Sequence, residues 1–406
     1  MSGSNGTAGA GAAADVVVLK FGGASFAAPG AHRRIAAHVA GRLGGNAPGP
    51  RHAVVVVSAV AGETDRLSAA MRAVSPDPDR ELLAAALMTG ETVNVALMTA
   101  ALREAGLDAV PLDAADTGCA GIGEPHHAEL RAIDPRPLRR HLAGAPTGTA
   151  LVLPGGQGIG LDGRPVMLGR NSSDLSAIAA AIALRAPACE IFSDSPGICT
   201  ADPRLVPGAR TLATVGYDTM MTMSRHGAKV LHHSAVDWAR RHGVEIHCRS
   251  LLPAGKVCSV VAAAPTSDPA VLVHGSGAVW AGEARLVHAV HAELTGSGSD
   301  AVVVHTSGTF GGNGKIWTAD NRDGDVAHLV LADAVRDLQP RGLRHLGGMR
   351  LVTTLFPDGI LEHRIGPSTD AAAAARALHE TFCRPDVSPR HTASMADLQA
   401  GDSALR

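Results

Sequence analysis

Lysine is rare in this chain, and one lysine stands beside two glycines, where it could bind an anion. Lysine occurs only at Lys20, Lys229, Lys256 and Lys315, and nearly all other positive charge is arginine. Lys20 opens the run KFGGAS at residues 20–25. Because glycines let backbone N–H groups approach an anion and lysine adds a compact, mobile charge, the run predicts a phosphate-binding loop. An ordinary glycine turn with a lysine at its rim is the alternative.

Hydroxyl and carboxylate groups follow in the next two segments. Ser58 and Thr64 begin and end the run SAVAGET, which comes directly after an apolar stretch. Glu91 stands alone in an otherwise apolar helical stretch, and a carboxylate there is unfavourable unless it is paired. It is therefore suited to binding an ammonium group. A strand-to-helix turn capped by Thr64 and a solvent-facing Glu91 are the structural alternatives.

The segment richest in polar groups combines PGGQGIG at residues 154–160 with LGRNSSD at residues 168–174. The glycines resemble a dinucleotide-binding fingerprint, but their spacing is wrong and no acidic residue ends a following strand. The second run places Arg170, Ser173 and Asp174 at the predicted start of a helix. A helix N-terminus attracts anions, and arginine binds a carboxylate through two hydrogen bonds. Asp174 as an ordinary first-turn residue, favoured by the helix dipole, is the alternative.

Two later segments carry further polar groups. They are SDSPGICTADPR at residues 193–204 and HGAKVLH at residues 226–232. Each is weak evidence alone: the first has the pattern of a polar loop, and the second that of a helix with one buried lysine, Lys229.

Short apolar runs alternate with helical patterns up to about residue 250, which predicts a mostly parallel sheet covered by helices on both faces. The predicted strands are 16–19, 53–57, 108–112, 150–153, 188–193 and 244–248. The predicted helices are 31–44, 80–105, 173–185 and one within 224–241. Ligands of such sheets bind at the carboxyl ends of the strands, where the polar segments lie.

The pattern changes after about residue 265. The predicted strands there are 270–275, 300–306, 326–331, 349–356 and 359–364, and the predicted helices are 282–294, 332–339 and 369–383, with a glycine-rich turn at 307–314. The chain is therefore expected to divide into a disordered tail (1–14), an α/β domain (15–265), a small α+β region (266–385) and a loose tail (386–406).

Composition narrows the classes of function. The 406 residues are 46% hydrophobic, enough for a full core, and the net charge of −2 gives no indication of a nucleic-acid or membrane partner. There is no uninterrupted run of about 20 apolar residues and no secretion signal. The scattered cysteines are typical of reduced thiols in a cytoplasmic protein, and no histidine or cysteine cluster has the spacing of a zinc site.

In this order and spacing, the polar segments resemble the amino acid kinase family and, within it, the aspartokinases. The resemblance covers about residues 15–250. It implies a three-layer αβα sandwich with a mostly parallel central sheet, followed by a degenerate ACT-like region. It also implies ATP-dependent phosphorylation of the side-chain carboxylate of aspartate, with ATP and Mg²⁺ as cofactors. A homodimer or higher homo-oligomer formed through the C-terminal region is expected.

The resemblance also assigns roles to individual residues. Lys20 would neutralise the transferring phosphoryl group, and Asp174 would hold that lysine and the metal–phosphate region in place. The implied acceptor-binding residues are Ser58, Thr64, Glu91, Arg170 and Ser173. The implied nucleotide-binding residues are Lys20, Gly22, Gly23, Ser193, Asp194, Cys199, Asp202, Arg204 and Lys229. Because a carboxylate acceptor is already ionised at neutral pH, no general base is required.

The chain departs from the family pattern at several of these segments. Asn171-Ser172 replaces the usual Gly-Gly, which we expect to reshape the acceptor or phosphate pocket. Cys199 stands where tyrosine is usual near the adenine, which predicts weaker stacking on the base. Gly156 replaces a common phenylalanine. Two alternatives therefore stay open: a kinase of a modified aspartate or other acidic amino acid, and a non-catalytic ligand-binding protein of the same fold.

Overall fold

The computed structural model describes residues 15–44, 49–169, 172–195, 197–251, 259–275, 279–296, 301–306, 316–317, 326–331 and 342–383. Several predicted features lie outside these ranges. They are the two tails, the acceptor-loop residues Arg170 and Asn171, the turn at 307–314 and the helix at 332–339.

The first part of the chain alternates between strands and helices. Its elements are β1 (Val16–Phe21), α1 (Ala31–Leu43), β2 (His52–Val57), α2 (Glu63–Val74), α3 (Arg80–Glu104), β3 (Ala109–Pro111), β4 (Cys119–Glu124), β5 (His127–Ile133), α4 (Arg136–Leu142), β6 (Ala150–Pro154), β7 (Gln157–Ile159), β8 (Pro165–Met167), α5 (Ser173–Leu184), β9 (Ala188–Ser193), β10 (Thr214–Gly216), α6 (Tyr217–Arg225), α7 (His233–His242), β11 (Glu245–Ser250) and β12 (Ser259–Ala262).

An eight-stranded sheet organises this part, in the order β10-β12-β11-β9-β1-β2-β6-β3. Every pairing is parallel except that of β11 with β12. The chain adds β2, β6 and β3 on one side of β1 and places β9 on the other. The direction in which the chain adds strands to the sheet therefore reverses between β1 and β9. In open α/β sheets, the ligand crevice forms at such a switch point.

The central strands are buried on both faces, which explains their continuous apolar runs. On β2, Val54 and Val56 face a core shared with α5 and α7, whereas Val55 and Val57 face a second core shared with α1 and α3. This alternation follows from the two-residue period of a strand. The predicted helix–sheet–helix layering is therefore present.

Helix α3 is the longest helix in the described part of the chain. By length and mean hydropathy it could cross a membrane, although Glu91 and Asn94 interrupt its apolar run. Its inward face, with Met98 and Leu102, is buried in the second core. A core helix has this composition too, and the packing of α3 against β6 and α1 fits that description.

The last part of the chain forms two further four-stranded sheets. Its elements are β13 (Ala270–Val273), β14 (Val279–Glu283), α8 (Ala284–Gly296), β15 (Ala301–Thr306), β16 (Ile316–Trp317), β17 (Val326–Leu331), β18 (Arg344–Leu346), β19 (Met349–Leu355), β20 (Leu361–Pro367) and α9 (Ala371–Phe382). The sheet orders are β13-β19-β20-β16 and β15-β17-β14-β18. The two sheets share a small apolar core that includes Val304, Leu351 and Ile365.

The first of these sheets and α9 also pack on the α/β domain. Ala201 and Val206, in the loop after β9, share an apolar core with Val271, Ala375 and Leu378. The C-terminal region is thus joined to this loop by a common core.

Three differences from the sequence expectations concern the main sheet, an additional small sheet and Lys229. The main sheet does not end at β11, because β12 and β10 extend it. Short strands β4, β5, β7 and β8 form an additional small sheet that was not predicted. The helix predicted within 224–241 is present as α7, but the alternative interpretation of residues 226–232 as a helix with a buried lysine is wrong. Gly227, at a φ of 112°, lies in a break between α6 and α7, and Lys229 is exposed there.

The central strand β6 offers a direct test of this core. Leu153 is fully buried in the core shared with α5. Because Leu153→Ala removes buried methyl groups and leaves a cavity, we expect it to lower the free energy of unfolding by about 3 kcal/mol. Leu161→Ala is the control, since Leu161 is 80% exposed, and should change stability by less than about 0.5 kcal/mol. Equal effects in denaturant unfolding would contradict this placement of the core.

Candidate active site

The carboxyl ends of four neighbouring strands are connected by backbone hydrogen bonds. After β1, Gly22 donates its N–H to the carbonyl of Phe192 on β9 at 3.2 Å, and Ser58, after β2, donates to the carbonyl of Phe21 at 3.2 Å. Gly155, after β6, donates to the carbonyl of Val57 at 2.8 Å. Four predicted polar segments therefore meet at one edge of the sheet.

A buried ion pair lies at the centre of this edge. Lys20 Nζ lies 2.6 Å from Asp174 Oδ1, and both side chains are largely shielded from solvent. Lys20 comes from β1 and Asp174 from the first turn of α5, where the helix dipole favours a carboxylate. The two residues are thus in contact, as the family resemblance implies, and their roles stay predictions.

The glycine loop after β1 fits tightly against its neighbour. Gly23 begins a short 3₁₀ helix, and a Cβ atom placed on it would lie 2.6 Å from the carbonyl oxygen of Ala59. A Cβ on Gly22 would lie 3.5 Å from Lys20 Nζ. Glycine at residue 23 is thus required by the close approach of two backbones, and the backbone at Gly22 passes close to the lysine side chain.

Hydroxyl groups lie on the other side of the ion pair. Ser58 Oγ donates to Ser173 Oγ at 2.9 Å. A Cβ on Gly155 would lie 2.4 Å from Ser173 Oγ, so the turn after β6 needs glycine to admit this pair. Ser173 directly precedes Asp174, which brings the hydroxyls next to the ion pair. Together they can position an anionic group beside the lysine.

Glu91 faces the same loop from α3. Its Oε1 accepts the backbone N–H of Ala59 at 3.1 Å. Burial raises the pKa of this carboxyl group, while hydrogen bonds from Ala59 and from the Gln157 side chain act in the opposite direction. The solvent-facing alternative for Glu91 is therefore not adopted. A Cβ on Gly90 would lie 2.9 Å from the Ala59 Cβ, so this glycine lets α3 approach the loop.

Two other predicted acceptor residues are less well defined. Thr64 lies in the first turn of α2 beside Glu63, whose Cγ would lie 3.5 Å from a Cβ on Gly90. Helix α2 therefore approaches α3 near Glu91, and the predicted role of Thr64 stays a prediction. Arg170 lies outside the described residues, so its predicted role stays a prediction.

The predicted nucleotide-binding residues follow β9. Ser193 ends that strand, and its Oγ accepts the N–H of Ser195 at 3.2 Å. Asp194 pairs with Arg204 at 3.0 Å, and Asp202 accepts the N–H of Arg204 at 2.9 Å. These contacts bring the two ends of the loop together at an exposed position.

Cys199 and Lys229 occupy different surroundings. Cys199 is partly buried opposite Thr211, and burial raises the pKa of its thiol. Lys229 lies against the C-terminal region, where its Nζ would be 3.2 Å from a Cβ on Gly275. The latter contact places Lys229 where the two parts of the chain meet.

Thr200 joins the loop of the predicted nucleotide-binding residues to helix α9. Its Oγ1 accepts the N–H of Arg210 at 3.0 Å and lies 2.8 Å from Nε2 of His379. With the Thr200 oxygen accepting from Arg210, its hydroxyl hydrogen is available to His379, which then acts as the acceptor in its neutral form. Burial, followed by the charge of Arg210, lowers the pKa of His379 and favours that form.

Sequence reasoning missed several residues of this site. Asn94 and Gln157 are buried polar residues on the predicted acceptor side, and His379 contacts the loop of the predicted nucleotide-binding residues from far along the chain. The sequence could have indicated Asn94, because a polar residue one helical turn after Glu91 in an apolar helix needs a partner. It could not have indicated His379, since its partner lies in another segment.

Comparison with known proteins assigns this arrangement to a family. The sequence model of the amino acid kinase family matches residues 15–250. The chain belongs to the amino acid kinase family. Its relatives include the aspartokinase of Mycolicibacterium smegmatis, 39% identical over 237 residues that make up 58% of this chain and 54% of that protein. An aspartokinase of Thermus thermophilus is 38% identical over 235 residues, 58% of this chain and 56% of that protein.

Solved structures of the amino acid kinase family share the fold over most of this chain. Escherichia coli aspartokinase III in complex with aspartate and ADP superposes with a TM-score of 0.71, at 19% identity, over 90% of this chain and 99% of that one. The same enzyme with lysine and aspartate gives a TM-score of 0.63 at 20% identity, over 91% and 99% of the two chains. The predicted fold, including the ACT-like region, is confirmed. The sequence matches span about half the length of the curated relatives.

The contact between Thr200 and His379 predicts a pH dependence. Because the pKa of His379 is lower in the folded state than its usual value, the neutral imidazole stabilises the fold above the unfolded-state value, about 6.5. This contribution is lost as pH falls through the folded-state pKa. His379→Gln keeps an acceptor for Thr200 but does not titrate, so it should lose less stability than the wild type between about pH 8 and pH 5.

Urea unfolding of both proteins at several pH values measures this difference. His242→Gln, which removes an exposed imidazole, is the control and should follow the wild type. A His379→Gln protein whose stability falls with pH as steeply as that of the wild type would contradict the proposed hydrogen-bond arrangement.

Proposed function

We propose that this protein transfers the γ-phosphoryl group of ATP to the side-chain carboxylate of L-aspartate, giving 4-phospho-L-aspartate. The observation that carries the proposal is the Lys20–Asp174 pair, beside a glycine loop on one side and the Ser58–Ser173 pair on the other. This arrangement provides a cation where phosphoryl charge would develop and hydroxyls where an acceptor would lie. The aspartokinase relatives support the same reaction.

Positioning and charge are the contributions required of the protein. Phosphoryl transfer involves little covalent chemistry on the enzyme, so in-line placement and neutralisation of charge dominate the rate. Lys20 would contact the transferred group, with the N–H groups after β1 around it. Glu91 would bind the α-ammonium group and Arg170 the α-carboxylate of the amino acid. The carboxylate nucleophile needs no base because it is ionised at neutral pH.

The residues present also fit Mg²⁺-bound ATP. Mg²⁺ is usually held by nucleotide phosphates with one or two protein carboxylates, rather than by a dedicated protein cage. Asp174 is the buried carboxylate beside the predicted phosphate loop, and no cluster of metal-binding side chains occurs elsewhere among the described residues. When bound, Mg²⁺ would neutralise phosphate charge. The nucleotide itself would lie along the loop from Ser193 to Arg204, near Lys229.

A second acceptor class is favoured by one specific observation. Ser172 stands where the family usually has glycine; its side chain is buried, and its Oγ donates to the carbonyl of Gly169 at 2.6 Å. A Cβ on Gly156 would lie 2.7 Å from this Oγ, so Ser172 occupies the space beside a position that lacks a side chain. A pocket changed at both positions suits a modified aspartate or another acidic amino acid.

Three further features belong to the proposal. We expect a homodimer or higher homo-oligomer formed through the C-terminal region, a cytoplasmic location, and domain limits near residues 15, 265 and 385. Strands β15, β17, β14 and β18 form one sheet of that region. Sheets of ACT-like regions commonly offer an edge or a face for pairing between subunits.

A trapping assay tests the reaction. Acyl phosphates react with hydroxylamine to give hydroxamates, so the protein is incubated with ATP, Mg²⁺, hydroxylamine and a panel of acidic amino acids. Hydroxamate from L-aspartate supports the main proposal, and hydroxamate only from an analogue supports the second acceptor class. A protein that binds ATP but turns over none of the panel would contradict both and favour a non-catalytic role.

The geometry around Lys20 gives a second test. Lys20→Arg keeps the charge but places a wider, planar group against Gly22 and Asp174. We expect kcat to fall by at least about 100-fold, because a misplaced cation no longer stabilises the transferring group. Arg136→Lys is the control, as it exchanges the cation of an exposed ion pair, and should leave kcat unchanged. Wild-type rates in Lys20→Arg would refute the role of Lys20.

A further inference from the structure

The peptide group that joins Ser58 to Ala59 is held at both ends by helix α3. Its carbonyl oxygen accepts a hydrogen bond from Nδ2 of Asn94 at 2.7 Å, and its N–H donates to Oε1 of Glu91 at 3.1 Å. Glu91 and Asn94 are one helical turn apart and lie on the same face. Two side chains of one rigid helix therefore fix the plane of a single peptide group.

The orientation of the Asn94 amide follows from its neighbours. The Ser58 carbonyl can only accept, so the amide nitrogen must face it, and the amide oxygen must face His32. Nε2 of His32 lies 2.7 Å from Oδ1 of Asn94 and is therefore the donor. His32 lies in the first turn of α1 and packs against the ring of Phe26. Asn94 thus connects α1 to the loop after β2.

Burial makes this connection consequential. Asn94 has no solvent exposure, and a buried amide without partners is unfavourable. An apolar side chain of similar size at this position would fill the same volume. The donor and the acceptor of the Asn94 amide, however, both form hydrogen bonds. The hydrogen bonds, rather than the volume, are the property that a polar residue at this position supplies.

The peptide group lies between the two halves of the site. It joins Ser58, whose Oγ forms the Ser58–Ser173 pair, to Ala59. The carbonyl of Ala59 lies against the glycine loop at Gly23. A rotation of this peptide would move the Ser58 hydroxyl and would release one oxygen of Glu91. Both groups are proposed to contact the acceptor.

We infer that Asn94 is a positioning residue for the acceptor amino acid: it acts through the Ser58–Ala59 peptide to hold Ser58 and Glu91 in their binding geometry, with His32 holding Asn94. The inference rests on the proposed kinase activity. It concerns acceptor binding specifically, because the Ser58–Ala59 peptide is hydrogen-bonded to α3, whereas the loop after β9 packs on α9.

The test compares steady-state kinetics of full-length variants. Asn94→Leu leaves the Ser58 carbonyl without its donor, and we expect kcat/KM for aspartate to fall about tenfold while KM for ATP changes by less than about twofold. Asn94→Asp keeps the shape and the contact with His32 but removes the donor, so it should show the same loss. If Asn94→Leu fails to fold, Asn94→Asp takes its place in the test.

A control separates positioning from general stability. Thr99 is similarly buried on α3, and its hydroxyl bonds only within the helix, to the carbonyl of Val95. Thr99→Val should lower the melting temperature without changing kcat/KM for aspartate. Asn94 variants that lose stability and keep wild-type kcat/KM for aspartate would overturn the inference, as would an equal loss in the affinity for ATP.

A double-mutant cycle tests the part played by His32. His32→Phe should lower kcat/KM for aspartate about threefold alone and have little further effect in the Asn94→Leu background, because both act through one chain of hydrogen bonds. Strictly additive effects would overturn the link from His32. A wild-type protein that phosphorylates no acidic amino acid would instead refute the proposed function, and with it this inference.

Discussion

The site depends on keeping one ammonium group inside the protein at the carboxyl end of a parallel sheet. An unpaired buried charge is strongly unfavourable, and the contact of Lys20 with Asp174 offsets that penalty. The partner must come from a rigid element for the cation to stay in place, and α5 is such an element, being buried along almost its whole length. Its small, apolar residues pack directly on β1, β2 and β9. The glycines around the pair follow from the same demand, since they allow three backbones to converge on it.

Much of this arrangement could be predicted from sequence because it is local. Lys20, Ser58 and Asp174 each lie within one or two residues of a strand end or helix start, so the periodicity of the neighbouring residues fixes where they fall. Parallel strands then bring the segments to one edge. The same reasoning found most strands and helices of the main sheet within a few residues of their observed limits.

The sequence predictions that failed have a common physical origin. The elements and contacts concerned leave no local pattern in the sequence. Strand β7 has three residues and β8 has three, too few to show alternation. The residues around Lys229 have a helical pattern, but Gly227 takes a left-handed conformation after the end of α6 and separates it from α7. His379 meets Thr200 across a separation of 179 residues, and only the folded structure brings those residues together. The pairing of Asn94 with a backbone carbonyl is likewise invisible until the loop after β2 is placed.

The shared core between the loop after β9 and helix α9 bears on how the molecule folds. Ala201 and Val206 are covered by residues from α9, and Arg376 donates to the carbonyl of Leu205. Ile198 of the same loop lies in the core of the main sheet, so the loop is covered partly by the α/β domain and partly by the last helix. Packing of this loop is therefore coupled to α9, and it is complete only when α9 has docked. We expect the two regions to unfold together as one cooperative unit despite their separate sheets.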